Sequence, residues 1–109
     1  MPNRIEKVNE LIKRYLGEII TREIDFKPGV FVTISKVDTS LDLRYTRVFV
    51  SIFPEKETPY ATATLSKEIY ALQGELNRKL AMRPLPRIEF KVDTTEIKAD
   101  IIEKLLKEI

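Results

Sequence analysis

The chain has 109 residues, 43% of them apolar and 33% charged, which suits one soluble domain spanning residues 1–109 and able to bury a core without staples. It contains no cysteine, histidine or tryptophan, which excludes disulfides, thiolate and imidazole metal sites, and mechanisms built on a cysteine nucleophile or a histidine base. The formal net charge is +2, which permits a nucleic-acid partner without demanding one; no apolar run approaches the ~20 residues of a membrane span, and the charged opening MPNRIEKVNE lacks a signal peptide's apolar segment, so a cytoplasmic protein is expected.

Asn3 and Glu6 have capping-box spacing, and Ile5, Val8, Ile12, Tyr15, Leu16, Ile19 and Ile20 recur on one helical face. A first helix is therefore predicted over about residues 3–22, broken by Pro28 and Gly29. VFVTISKVD and LRYTRVFVSIF are rich in β-branched and aromatic residues and read as strands. The TSLD turn between them makes an antiparallel hairpin. After a loop from Pro54, Thr58 is placed to cap a second helix with Pro59 at its first position. Leu65, Ile69, Leu72, Leu76 and Leu80 hold one helical face across Gly74, and Pro84 and Pro86 stop it. A glycine inside a helix costs about 1 kcal/mol relative to alanine, so a bend or break is expected between residues 68 and 77. RIEFKVD alternates as a third strand, parallel to the second across the helical crossover. Asp93 and Glu96 form another capping box before Ile97, Ile101, Ile102, Leu105, Leu106 and Ile109, an amphipathic last helix. The order is α-β-β-α-(kink)-α-β-α. It makes an α+β domain with a three-stranded mixed sheet and the helices packed on one face.

Strand side chains alternate. Val48, Val50 and Ile52, Val32 and Ile34, and Ile88, Phe90 and Val92 suit the helix-covered face. Phe31, Phe49, Arg47, Arg87 and Lys91 fall on the open face. Aromatics among cations on an open sheet can stack bases, or can simply be cross-strand neighbours that stabilise the sheet; both readings stand at this point. A second basic group, Arg78, Lys79 and Arg83, follows Gly74; it reads either as a set of phosphate contacts or as a solvated helix face. Asp38 and Asp42 flank the hairpin turn and read as turn chemistry rather than as a metal or acid pair, and Asp93 reads as a cap. No catalytic residue, metal ligand or cofactor site is nominated, and the chain is not expected to be an enzyme.

VDTSLDLRYTRVFVS resembles a pattern of the ribosome-binding factor A family, a Ser-x-Asp-Leu turn leading into a strand that ends Val-aromatic-Val-Ser; Ser40, Asp42, Leu43, Val48, Phe49, Val50 and Ser51 match it. ELNRKLAMRPLPRIEFKVD resembles the family's later block through Leu80, Met82, Arg83, Pro86, Phe90 and Asp93, and RIEKVNELIKRYLGEII its first helix, with Arg4 as the early arginine. The resemblance covers nearly the whole chain. It implies a type II KH-like fold and a monomeric, non-enzymatic assembly factor without cofactor or small-molecule substrate. Such a factor binds free small (30S) ribosomal subunits and 16S rRNA, assists late maturation and 5′-end processing, and matters most in the cold. The implied RNA contacts are Arg78, Lys79, Arg83, Arg47, Arg87 and Lys91. The family's Ala-x-Gly kink aligns with Glu68, Ile69 and Tyr70, four residues before Gly74, so Tyr70 and Gly74 are the expected kink residues and Gly74 the pivot that aims the basic group. The KH Gly-x-x-Gly is absent, and no long basic tail follows Ile109, which implies weaker non-specific RNA affinity. The rival reading is a KH-like protein–protein module that uses the open face.

Overall fold

Asn3 starts the first helix, α1 (Arg4–Glu23): its Oδ1 accepts from the Glu6 N–H at 2.8 Å. Val8, Ile12, Leu16, Ile19 and Ile20 form its buried face. This structure, a computed structural model, describes residues 3–82, 85–94 and 105–106. Pro28 and Gly29 then reverse the chain. Gly29 sits at φ +86°, the left-handed position of a turn closed by Val30 N–H to Lys27 C=O at 3.2 Å, with proline one residue earlier.

Strands β1 (Phe31–Thr39) and β2 (Tyr45–Phe53) pair antiparallel, and β2 pairs parallel with β3 (Arg87–Val92), so β2 is central in a mixed sheet ordered β1-β2-β3. Between β2 and the second helix lies a 3-10 turn, Glu55–Glu57. Thr58 does not cap that helix as expected: it is already helical, and its hydroxyl donates back to Glu55 C=O at 2.6 Å.

The second helix, α2 (Thr58–Lys79), is a single run of 22 residues through Tyr70 and Gly74. The break expected between residues 68 and 77 is therefore absent, and the two helical pieces expected on either side of it are one helix. The magnitudes explain this. Leu65, Leu72 and Leu76 are fully buried on both sides of Gly74, and each buried leucine contributes roughly 1.5–3 kcal/mol, more than the ~1 kcal/mol a helical glycine costs. The helix stops at Leu80, whose backbone turns extended. Pro84 lies outside the described residues, as does the last helix expected over Ile97–Ile109 apart from Leu105 and Leu106, which are helical and exposed. Among the described residues no helix is long and apolar enough to cross a membrane.

α1 and α2 cover one face of the sheet. Ile12, Leu16, Ile19, Leu65, Leu72, Leu76, Val48 and Val50 make the fully buried centre, and Ile88 adds β3 to it. Two polar devices lock this layer. Thr39 Oγ1 donates to Asn9 Oδ1 at 2.5 Å, so Thr46 Oγ1 must be the donor in its 2.9 Å bond to Thr39, and both buried hydroxyls are satisfied. Gln73 treats the outer edge of β3 as a partner strand would: Oε1 accepts from Ile88 N–H at 2.8 Å, and Nε2 donates to Pro86 C=O at 3.0 Å and to Asn77 Oδ1 at 2.9 Å.

A Cβ added at Gly74 meets nothing within 4 Å. Gly74→Ala is therefore expected to stabilise the fold by up to ~1 kcal/mol in chemical denaturation, whereas Leu72→Ala should cost about 2–5 kcal/mol. Destabilisation by Gly74→Ala would show that the helix needs its glycine.

Candidate nucleic-acid interface

On β2 the residues whose side chains face away from the helices are Tyr45, Arg47, Phe49, Ser51 and Phe53, since Thr46, Val48 and Val50 are buried on the other side. The register puts this face in rows. Tyr45 lies beside Arg87, Arg47 between Asp38 and Glu89, and Phe49 between Lys36 and Lys91; Ser51 faces Thr33, and Phe53 faces Phe31. Lys36 Nζ sits 5.7 Å from the centre of the Phe49 ring. Lys91 Nζ bonds Glu89 Oε1 at 2.8 Å, and that bond, reinforced by the Lys91 and Arg47 charges, holds the Glu89 carboxyl below its ordinary range.

Three of the six cations expected at an RNA surface, Arg47, Arg87 and Lys91, thus share one exposed face. Arg78 and Lys79 do not join them: they sit at the end of α2, in the helical layer. Arg78 is also engaged, in an ion pair with Glu75, whose other carboxylate oxygen meets Arg22 Nη2 at 3.4 Å. Arg83 lies outside the described residues. Tyr70 and Gly74 line a groove of about 420 Å³ between α2 and the outer edge of β3, with Arg87 on its other side and Tyr70 91% exposed at the rim.

Lys36 is a residue that strict alternation misses, because parity with Val32 and Ile34 assigns it to the covered face. A β-bulge between Ile34 and Lys36 resets the phase, so that Val37 and Thr39 turn inward and Lys36 outward. The bulge residue, Ser35, is pinned by a 2.6 Å bond from its hydroxyl to Asp93 Oδ2, with Phe49 C=O at 3.3 Å. The signal in the sequence is the polar pair Ser35–Lys36 inside an alternating strand. Tyr45 and Phe53 have the parity of Phe49 and were legible from spacing alone.

The turn at Ser40–Tyr45 fixes the hairpin that carries these rows. Ser40 Oγ donates to Asp42 Oδ1 at 2.6 Å, Arg44 N–H donates to the same oxygen at 3.1 Å, and Tyr45 N–H donates to Ser40 Oγ at 3.1 Å. Leu43 adopts φ +61°, an uncommon conformation for leucine, and its side chain is buried while Leu41 points out. The Ser40 hydrogen bond, then the Arg44 N–H, lowers the Asp42 pKa below its ordinary value.

The sequence model of the ribosome-binding factor A family matches residues 4–106. This chain belongs to the ribosome-binding factor A family. The family's protein from Natranaerobius thermophilus is 38% identical over 107 residues, covering 97% of this chain and 82% of the relative, and that from Brevibacillus brevis is 36% identical, covering 97% and 88%. The crystal structure of ribosome-binding factor A from Thermus thermophilus superposes with a TM-score of 0.71 at 32% identity, covering 83% of this chain and 97% of that one. Coordinates of the Thermus thermophilus factor fitted into a cryo-electron microscopy map of its complex with the 30S subunit align at 35% identity and a TM-score of 0.65, covering 78% and 90%. The Ser-x-Asp-Leu turn that marks the family is thus, here, a closed set of hydrogen bonds around Asp42.

Because the folded pKa of Asp42 is depressed, its charged form stabilises the fold above the ordinary carboxylate pKa of about 3.9, and that contribution is lost as pH falls through and below it. Wild type is expected to be more stable than Asp42→Asn at pH 7, with the gap closing in acid. A gap independent of pH, read from denaturation midpoints, would remove the charge from this account.

Proposed function

We propose that this protein binds the free small ribosomal subunit through 16S rRNA, assists its late maturation and 5′-end processing, and acts as a cytoplasmic, monomeric, non-enzymatic factor. The observation that carries the reading is family membership joined to the Thermus thermophilus relative placed on a 30S subunit. The exposed cations of the sheet supply the matching chemistry. The α-β-β-α-β order, with β2 and β3 parallel across α2, agrees with a type II KH-like fold whose two central helices are fused into one.

Docking is electrostatic. Lys36, Arg47, Arg87 and Lys91 neutralise phosphates and release counterions, while the packed fold fixes their spacing. Arg78, Lys79 and Arg83 make a second, weaker set of contacts, because Arg78 must share its guanidinium with Glu75. Cells without the protein are expected to accumulate free small subunits with unprocessed 16S 5′ ends, most at low temperature.

In gradient sedimentation the protein should travel with free small subunits and not with intact ribosomes. For about four neutralised phosphates, affinity should fall roughly 50-fold between about 50 and 200 mM salt, and Arg47→Gln with Arg87→Gln should lower the log–log salt slope by about 1.4. Charge reversal at Arg78, Lys79 and Arg83 together should weaken binding less than reversal at Arg47 and Arg87. Absence of co-sedimentation at low salt would overturn the reading.

A further inference from the structure

We propose that the open face of the sheet is a stacking platform for single-stranded RNA, with unpaired bases lying on Tyr45, Phe49 and Phe53. This rests on the rRNA-binding reading above and names the form of RNA that the face takes.

The three rings stand on the central strand at positions of equal parity, four residues apart, so successive rings are about 13 Å from one another along β2. Tyr45 is 55% and Phe53 68% exposed, and Phe31, opposite Phe53, is 63% exposed. Isolated surface aromatics need no explanation, but here aromatics on one strand form a file with cations between and beside them. Arg87 lies beside Tyr45, Arg47 lies between the levels of Tyr45 and Phe49, and Lys36 and Lys91 flank Phe49. Four cations stand against three acids, Asp38, Glu89 and, at the end of β3, Asp93, whose carboxylate accepts from Ser35. Lys36 and Arg87 have no acidic partner across the register and lie on opposite outer strands, so a phosphate backbone held by both crosses β2 obliquely, over the rings.

The chemistry selects one occupant. In an A-form duplex the base faces are stacked away inside the helix, so exposed rings gain nothing from it beyond phosphate attraction; an unpaired strand offers a face to each ring. A second copy packed face to face across a two-fold axis would set this net positive surface against itself.

The test is fluorescence anisotropy on the full chain with a labelled 12-nucleotide oligouridine and a 12-base-pair RNA duplex. Variants are Tyr45→Thr and Phe53→Thr, both at exposed strand positions where threonine is well tolerated, with Tyr45→Phe as the conservative control. The single strand should bind more tightly than the duplex. Each threonine variant should lose roughly 5- to 150-fold with the salt slope unchanged, and Tyr45→Phe should retain wild-type affinity. Equal affinity for the duplex, or threonine variants that bind like wild type, overturns the platform. So does loss of small-subunit binding with oligonucleotide affinity intact, which would make the face a protein dock, or a concentration-dependent dimer that the threonine variants abolish. If wild type fails to sediment with small subunits yet binds oligouridine as expected, the ribosomal reading falls and the platform stands.

Discussion

β2 is hydrogen-bonded along both edges, antiparallel to β1 and parallel to β3, and its side chains alternate without interruption from Tyr45 to Val50. Thr46, Val48 and Val50 are fully buried under the helices. With a period of two, burying these residues forces Tyr45, Arg47 and Phe49 outward. A slip of one residue would carry Arg47 and Phe49 into the core and Val48 and Val50 into water. The same burial that stabilises the domain therefore fixes the spacing of the candidate interface. That spacing is as rigid as the core, although no residue of the interface belongs to the core's fully buried centre.

Two local devices keep that register. At one end of the β1–β2 pair, the Ser40–Asp42–Arg44 turn and the buried Thr39–Thr46–Asn9 chain set the hairpin. In the middle, the bulge at Ser35 shifts β1 by one residue, so that its first half presents Val32 and Ile34 to the helices and its second half Val37 and Thr39. Without the bulge, Lys36 would face α1 and α2, and burying an unpaired ammonium there would be prohibitive. The bulge is therefore a requirement of the sequence SKVDT as it stands, and the placement of a cation beside Phe49 follows from it.

Element types, strand pairing and the two faces of β2 and β3 were legible because each rests on a periodicity that burial enforces. Three features were not. Gly74 was expected to break α2, but propensity is a preference of about 1 kcal/mol, and the burial of Leu72 and Leu76 outweighs it. Lys36 faces outward against strict alternation, because alternation assumes no bulge. The tie from Glu75 to Arg22 is the third, because a linear reading shows the i,i+3 neighbours Glu75 and Arg78 but not the contact across to α1. For Gly74 and Lys36 a weak local rule met a tertiary constraint of greater size. Tyr45 and Phe53 are different: they share the parity of Phe49, so their place on the open face follows from spacing alone.

Some cations are tied into the fold by ion pairs and others are not. In the helical layer Arg22, Glu23, Glu75 and Arg78 neutralise one another between α1 and α2, and Lys27 pairs with Glu57 while lying over Tyr60. These cations have partners within the fold, and a phosphate must compete with a carboxylate for them. On the open face only Lys91 is so engaged, while Lys36, Arg47 and Arg87 form no ion pair among the described residues. Exposed pairs stabilise a fold by at most about 1 kcal/mol, so stability alone gives little reason to add carboxylates there. Leaving those three cations unpaired costs the fold almost nothing and preserves their attraction for an external polyanion. The candidate face is thus one that the fold builds with a single ion pair among the described residues.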